Sequence, residues 1–152
     1  VKLTNGFDIS ASALTANRMR MDVISSNVAN AETTRGSFVN GEYVPYKRKM
    51  VVMDSKESSF ASVLNNTMNG KQESKLLNGV NVTKIIEDSS PTKLVYNPAH
   101  PDANADGYVN MPNVDIATEM VDMIAAVRAY ESNVTALNAT KSMFMKALEI
   151  GK

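Results

Sequence analysis

The stretch NVDIATEMVDMIAAVRAYESNVTALNATKSMFMKAL, residues 113–148, carries an apolar side chain at nearly every a and d position of five consecutive heptads. Ile116, Met123, Tyr130, Leu137 and Phe144 fall at d. Met120, Val127, Val134 and Leu148 fall at a, and only Asn113 and Lys141 break that series. Spacing of alternately three and four residues draws a narrow stripe along one side of a helix, and such a stripe is buried only against another helix. A second stripe lies near the other end of the chain, where Phe7, Leu14, Met21 and Val28 recur every seven residues and Ile24 and Ala31 follow three residues on. Two ends that each want a helical partner point to assembly before chemistry.

Between the stripes the pattern changes. Residues from about Phe7 to Ala31 form an amphipathic helix free of proline, with Gly36 as a stop beyond it. Asn40-Gly41, between Phe38-Val39 and Tyr43-Val44, is a hairpin signal because both turn residues tolerate positive φ. Met50–Met53, Val80–Ile86 and Leu94–Tyr96 read as strands. The stretch from Asp54 to Lys75 is rich in Ser and Asn and reads as a surface excursion, with a short helix through Phe60, Val63, Leu64 and Met68. All five prolines lie between Pro45 and Pro112, outside both helical ends. Asp115 is a suitable N-cap for the last helix and Glu119 suits its first turn.

The resulting expectation is an α+β fold in three parts. Residues 1–35 and 112–152 are helices lying antiparallel, stripe to stripe, in a coiled-coil-like layer, and 36–111 is a small β-rich insert with a flexible polar loop at about 54–75. The stripes are unequal, so about ten residues of the last helix lack cover from the first. Burying an apolar side chain contributes roughly 1.5–3 kcal/mol, and without neighbours the ends should be wholly or partly disordered. A charge on the stripe, such as Leu137→Asp, should then block assembly and spare the insert.

Composition narrows the chemistry. Sixteen basic and sixteen acidic side chains cancel, which argues against a nucleic-acid partner. The absence of cysteine removes disulfides, thiolate metal sites and cysteine nucleophiles. No apolar run near Val1 resembles a signal peptide, and none reaches the roughly 20 residues that span a bilayer. Asp102, Asn104, Asp106, Gly107 and Val109 match the start of a calcium-binding EF-hand loop. Position 12 is Asn113 instead of Glu, and Asn97-Pro98-Ala99-His100-Pro101 cannot be the incoming helix, so a polar Asx-turn loop is the better reading. His100, the one histidine, has no nucleophile motif around it. No catalytic residue, metal, cofactor or small-molecule substrate is expected.

Three segments carry a family resemblance. Ser26-Asn27-Val28-Ala29-Asn30-Ala31-Glu32-Thr33 resembles the N-terminal signature of bacterial flagellar rod and hook proteins, a Ser-Asn-x-Ala-Asn-x-x-Thr core closing the first helix. Thr34-Arg35-Gly36-Ser37 departs from the Gly-Tyr continuation common in that family. Asn97-Pro98-Ala99-His100-Pro101-Asp102 and Gly107-Tyr108-Val109-x-Met111-Pro112-Asn113 are similar to the C-type subunits of the proximal rod. Arg128-x-Tyr130-Glu131-x-Asn133 resembles the shared C-terminal helix motif. The resemblance implies a non-enzymatic building block of the flagellar basal-body rod, in the cell envelope, that transmits torque and lines the export channel. It further implies export by the flagellar type III apparatus without a cleaved signal, and partners that are other rod subunits and further copies of itself. The implied packing residues are those of the two stripes. The competing reading is a free-standing homo-oligomeric coiled-coil adaptor with a β insert.

Overall fold

The computed structural model describes residues 5–39, 41–55, 68 and 79–150. Helix α1 spans Asn5–Ala29 and helix α2 spans Ile116–Ile150. Six strands lie between them: β1 (Ser37–Val39), β2 (Glu42–Val44), β3 (Lys49–Ser55), β4 (Val80–Glu87), β5 (Lys93–Tyr96) and β6 (Tyr108–Met111). They pair as three separate antiparallel ribbons, β1–β2, β3–β4 and β5–β6. The α+β class therefore stands. The expected short helix at Phe60, Val63 and Leu64 lies outside the described residues, as does Asn40, while its turn partner Gly41 takes φ 90°.

The two helices run antiparallel: Gly6 lies beside Thr140, Arg20 pairs with Asp122, and Asn27 with Glu119. Ribbon β3–β4 covers another side of α1, where the Ser12 hydroxyl accepts a hydrogen bond from the Val80 amide at 3.1 Å. The core is correspondingly small, with Ala16, Val23, Ile24, Val109, Val114 and Ala126 buried. The ribbon is cover that the expected helix-to-helix layer did not include. Helix α1 is enclosed by α2 and a ribbon, and Ile24, expected to pack against other subunits, is spent inside this one.

Helix α2 begins as expected. The Asp115 carboxylate accepts a hydrogen bond from the Ala117 amide at 3.0 Å, and its carbonyl accepts one from the Glu119 amide. The seam toward α1 differs from the expected stripe. Its covered residues include Glu119, Met123, Ala126, Tyr130, Asn133, Leu137 and Thr140, alternately four and three apart. The d column is used, but its companion is the column of small and polar residues one place before a. Ala126 is fully buried (0% exposed), and a methyl side chain there lets the helices approach closely. Residues 141–149, past the Thr140 that lies beside Gly6, are all exposed.

Candidate assembly interface

The base of the helical pair is locked by polar groups. Asn27, in the last turns of α1, is 1% exposed and fills every hydrogen-bonding capacity of its amide. Its Oδ1 accepts from the Lys49 amide and the Tyr46 hydroxyl, both at 2.9 Å. Its Nδ2 donates to the Lys49 carbonyl at 2.8 Å and to Glu119 Oε2 at 3.0 Å. One side chain thereby pairs with the first residue of β3 as a neighbouring strand would, and ties it to α2.

Glu119, also 1% exposed, takes the other half of the lock. Arg48 Nε donates to Glu119 Oε1 at 2.6 Å, and the same guanidinium reaches Asp122 at 3.5 Å and Asp88 at 3.8 Å. The Glu119 hydrogen bond is the chief reason that the Arg48 pKa rises above its ordinary value. Asp88 is held below the usual carboxylate range, first by the Ser90 hydroxyl and amide and then by Arg48. Asn113 closes the base, accepting from the Arg48 amide at 2.9 Å and donating to the Ser90 carbonyl at 3.2 Å. It is a loop tie ahead of α2.

The remaining signature residues build the elbow after α1. The Asn30 side chain donates to the Ser26 carbonyl at 2.9 Å, Thr33 Oγ1 bonds Asn30 Oδ1 at 3.2 Å, and the Tyr46 amide donates to the Thr33 carbonyl. Ala29, between them, is exposed, while Val28 is half-buried. The second motif forms the β5–β6 loop. The Asn97 amide donates to the Gly107 carbonyl, and Asn104 Oδ1 accepts from the Asp106 and Tyr108 amides in an Asx turn. Gly107 takes φ 81°, and a Cβ there would stand 3.0 Å from the Tyr96 ring and 3.2 Å from Pro98. Pro112 is buried at the foot of β6.

Asp102 does not point into this loop. It accepts from Thr34 Oγ1 at 2.7 Å and from Arg35 Nε at 2.8 Å, and Arg35 and Thr34 together lower its pKa. His100 Nδ1 accepts from the Asp102 amide at 3.1 Å, and Pro101 between them is exposed. The EF-hand likeness thus dissolves: its first ligand is an ion-pair partner and its second an amide acceptor. Among the described residues no three His, Asp or Glu side chains converge as metal ligands.

The stripe residues divide between two surfaces. Met123, Tyr130, Val134 and Leu137 on α2, with Phe7, Leu14, Met21 and Val28 on α1, are half-buried along the helical pair. Ile116, Met120, Val127, Phe144 and Leu148 are exposed. Val121 and Ile124, which the heptad reading passed over, are exposed as well. Ile116, Met120, Ile124 and Val127 follow one another at helical spacing, so α2 shows solvent an apolar face adjoining the one it gives α1. Sequence reasoning also missed Tyr46, Arg48 and the Thr34–Arg35–Asp102 tie, whose partners are far apart in the chain. No helix among the described residues is long and apolar enough to cross a membrane.

Two family profiles match the two helical ends. One, described as flagella basal body rod protein, matches residues 7–35; the other, described as flagellar basal body rod FlgEFG protein C-terminal, matches residues 105–150. The chain is 60% identical over 148 residues to the flagellar basal-body rod protein FlgC of Bacillus subtilis, covering 97% of both chains. It is 42% identical over 150 residues to FlgC of Escherichia coli O157:H7, covering 99% of this chain and 98% of that one. Against FlgC of Salmonella typhimurium it is 40% identical over 150 residues, with the same coverage.

Proposed function

The chain belongs to the FlgC family of flagellar basal-body rod proteins, which are structural rod subunits and not enzymes, and from that premise we propose that it polymerises through its terminal helices into the proximal rod. The observation that carries the proposal is the apolar surface α2 leaves unpartnered: Ile116, Met120, Ile124 and Val127 along one face, Phe144 and Leu148 at the end. In a filament one patch of a subunit meets a different patch of the next, so contacts propagate without closing. An exposed face and a protruding end are two such patches. Residues 1–35 and 112–152 would form an inner coiled-coil layer lining the export channel, and the ribbons of 36–111 an outer one. Contacts with other rod subunits and with further copies of this chain, torque transmission, and delivery to the cell envelope by the flagellar type III apparatus belong to the same reading. A closed oligomeric adaptor is not favoured, because the relatives matched along the whole chain are rod proteins.

The test is Met120→Asp, expressed in cells lacking their own copy. The exposed position should leave subunit stability within about 0.5 kcal/mol of the parent, while rods fail to form and motility is lost. Normal rods would remove this face from the assembly surface. Leu137→Asp is a poorer probe than the stripe suggested, since Leu137 is half-buried toward α1 and a charge there also strains the subunit.

A further inference from the structure

The chain has ten methionines and no cysteine, so its oxidisable sulfur is entirely thioether. Methionine is ordinarily among the more buried residue types. Here Met120, Met143 and Met145 are 58%, 64% and 53% exposed, and all three lie on α2. Met120 sits in the exposed apolar face; Met143 and Met145 flank Phe144 at the end that α1 does not cover. Met21, Met50, Met53, Met111 and Met123 are half-buried. A flexible thioether adapts to an uneven partner surface, but it is also the group that peroxide reaches first when no thiol competes.

We infer that Met120, Met143 and Met145 are oxidation sites, and that their conversion to sulfoxide reversibly blocks incorporation of the subunit. This rests on the assembly reading above. In the step, a sulfur lone pair attacks one oxygen of hydrogen peroxide. An S–O bond forms, the O–O bond breaks, and water leaves after proton transfer. Sulfur loses two electrons and the peroxide gains them. The product is a polar sulfoxide where an apolar side chain must be buried, and methionine sulfoxide reductase with a thiol reductant restores the thioether. Once covered by neighbours the three sulfurs are shielded, so sensitivity belongs to the free subunit.

The experiment treats the purified subunit with hydrogen peroxide, maps sulfoxides by mass spectrometry and measures co-sedimentation with the other rod subunits, with circular dichroism to follow helix content. Oxidation should appear at Met120, Met143 and Met145 ahead of the half-buried methionines. Assembly affinity should fall by about tenfold or more, a step equivalent to about 1.4 kcal/mol, and return after reductase treatment. A triple Met→Leu variant at these positions should assemble and resist peroxide. Met68→Leu, at a 77% exposed methionine between β3 and β4, should leave sensitivity unchanged. The inference is overturned if fully oxidised subunit assembles like untreated subunit, or if the triple variant is inhibited as strongly as the parent. If untreated subunit also fails to assemble, or Met120→Asp assembles normally, the assembly reading falls and takes this one with it.

Discussion

The first and last parts of α2 are one continuous helix built on opposite logics. From Glu119 to Thr140 it lies against α1 through a seam that includes a buried carboxylate, a buried alanine and a half-buried asparagine. From Lys141 to Glu149 every residue is exposed, and large apolar side chains stand in solvent. Internal packing alternates the apolar Met123, Tyr130 and Leu137 with small and polar groups, which fix one register because each must meet its partner. Other large apolar residues, Ile116, Met120, Ile124 and Val127 on the adjoining face and Phe144 and Leu148 at the end, are left exposed. Apolar content alone therefore does not locate the subunit's own core along this helix.

The sharpest way to break that contrast is Glu119→Ala. It strips Arg48 and the Asn27 amide of their buried acceptor, and losing one partner of such a pair costs about 3–5 kcal/mol. Urea denaturation should show a loss of unfolding free energy of that size and a lower midpoint, with Glu119→Gln milder. An unchanged midpoint would mean that the junction contributes nothing to register. Ala126→Leu comes next. Added carbons at a fully buried contact should cost about 1–3 kcal/mol through overpacking, whereas Ala147→Leu in the exposed end should move the melting temperature negligibly. Equal effects at the two sites would erase the distinction.

The smallest effect is on pH. Asp88 and Asp102 both have pKa values lowered in the folded chain, through Ser90 and Arg48 for the first and Arg35 and Thr34 for the second. A carboxylate depressed by folding contributes stability above its unfolded value, about 3.9, and loses it as pH falls through the folded value. The melting temperature should thus hold from pH 7 to about pH 5 and decline in more acid solution, modestly because both groups are open to solvent screening. A decline already complete by pH 5 would exclude these carboxylates as its cause.

Much of this was legible in the chain. The N-cap at Asp115, the antiparallel order of the helices, the exposed end of α2 and five of the six described strands follow from spacing and turn chemistry, which are local. Strand β6 was passed over because Tyr108–Met111 follows its loop directly and pairs with β5 across a Pro-rich segment. The seam of α2 was misplaced by one column because heptad reading ranks positions by apolarity. Glu119 qualifies for burial only through Arg48, 71 residues away, and Asn27, 92 residues away. Asn27 was visible as part of a motif, but its double pairing with Lys49 depends on where β3 lies, which no periodicity encodes.

The protruding end of α2 also has a length. At about 1.5 Å per helical residue, the nine exposed residues 141–149 make about 14 Å of helix past Thr140, the residue of α2 that lies beside Gly6. If the proposed assembly holds, a neighbour covering that end would be displaced along the helix axis from the part of α2 that lies against α1. In the proposed rod the overhang would act as a ruler, setting an axial offset between successive molecules from the geometry of a single chain.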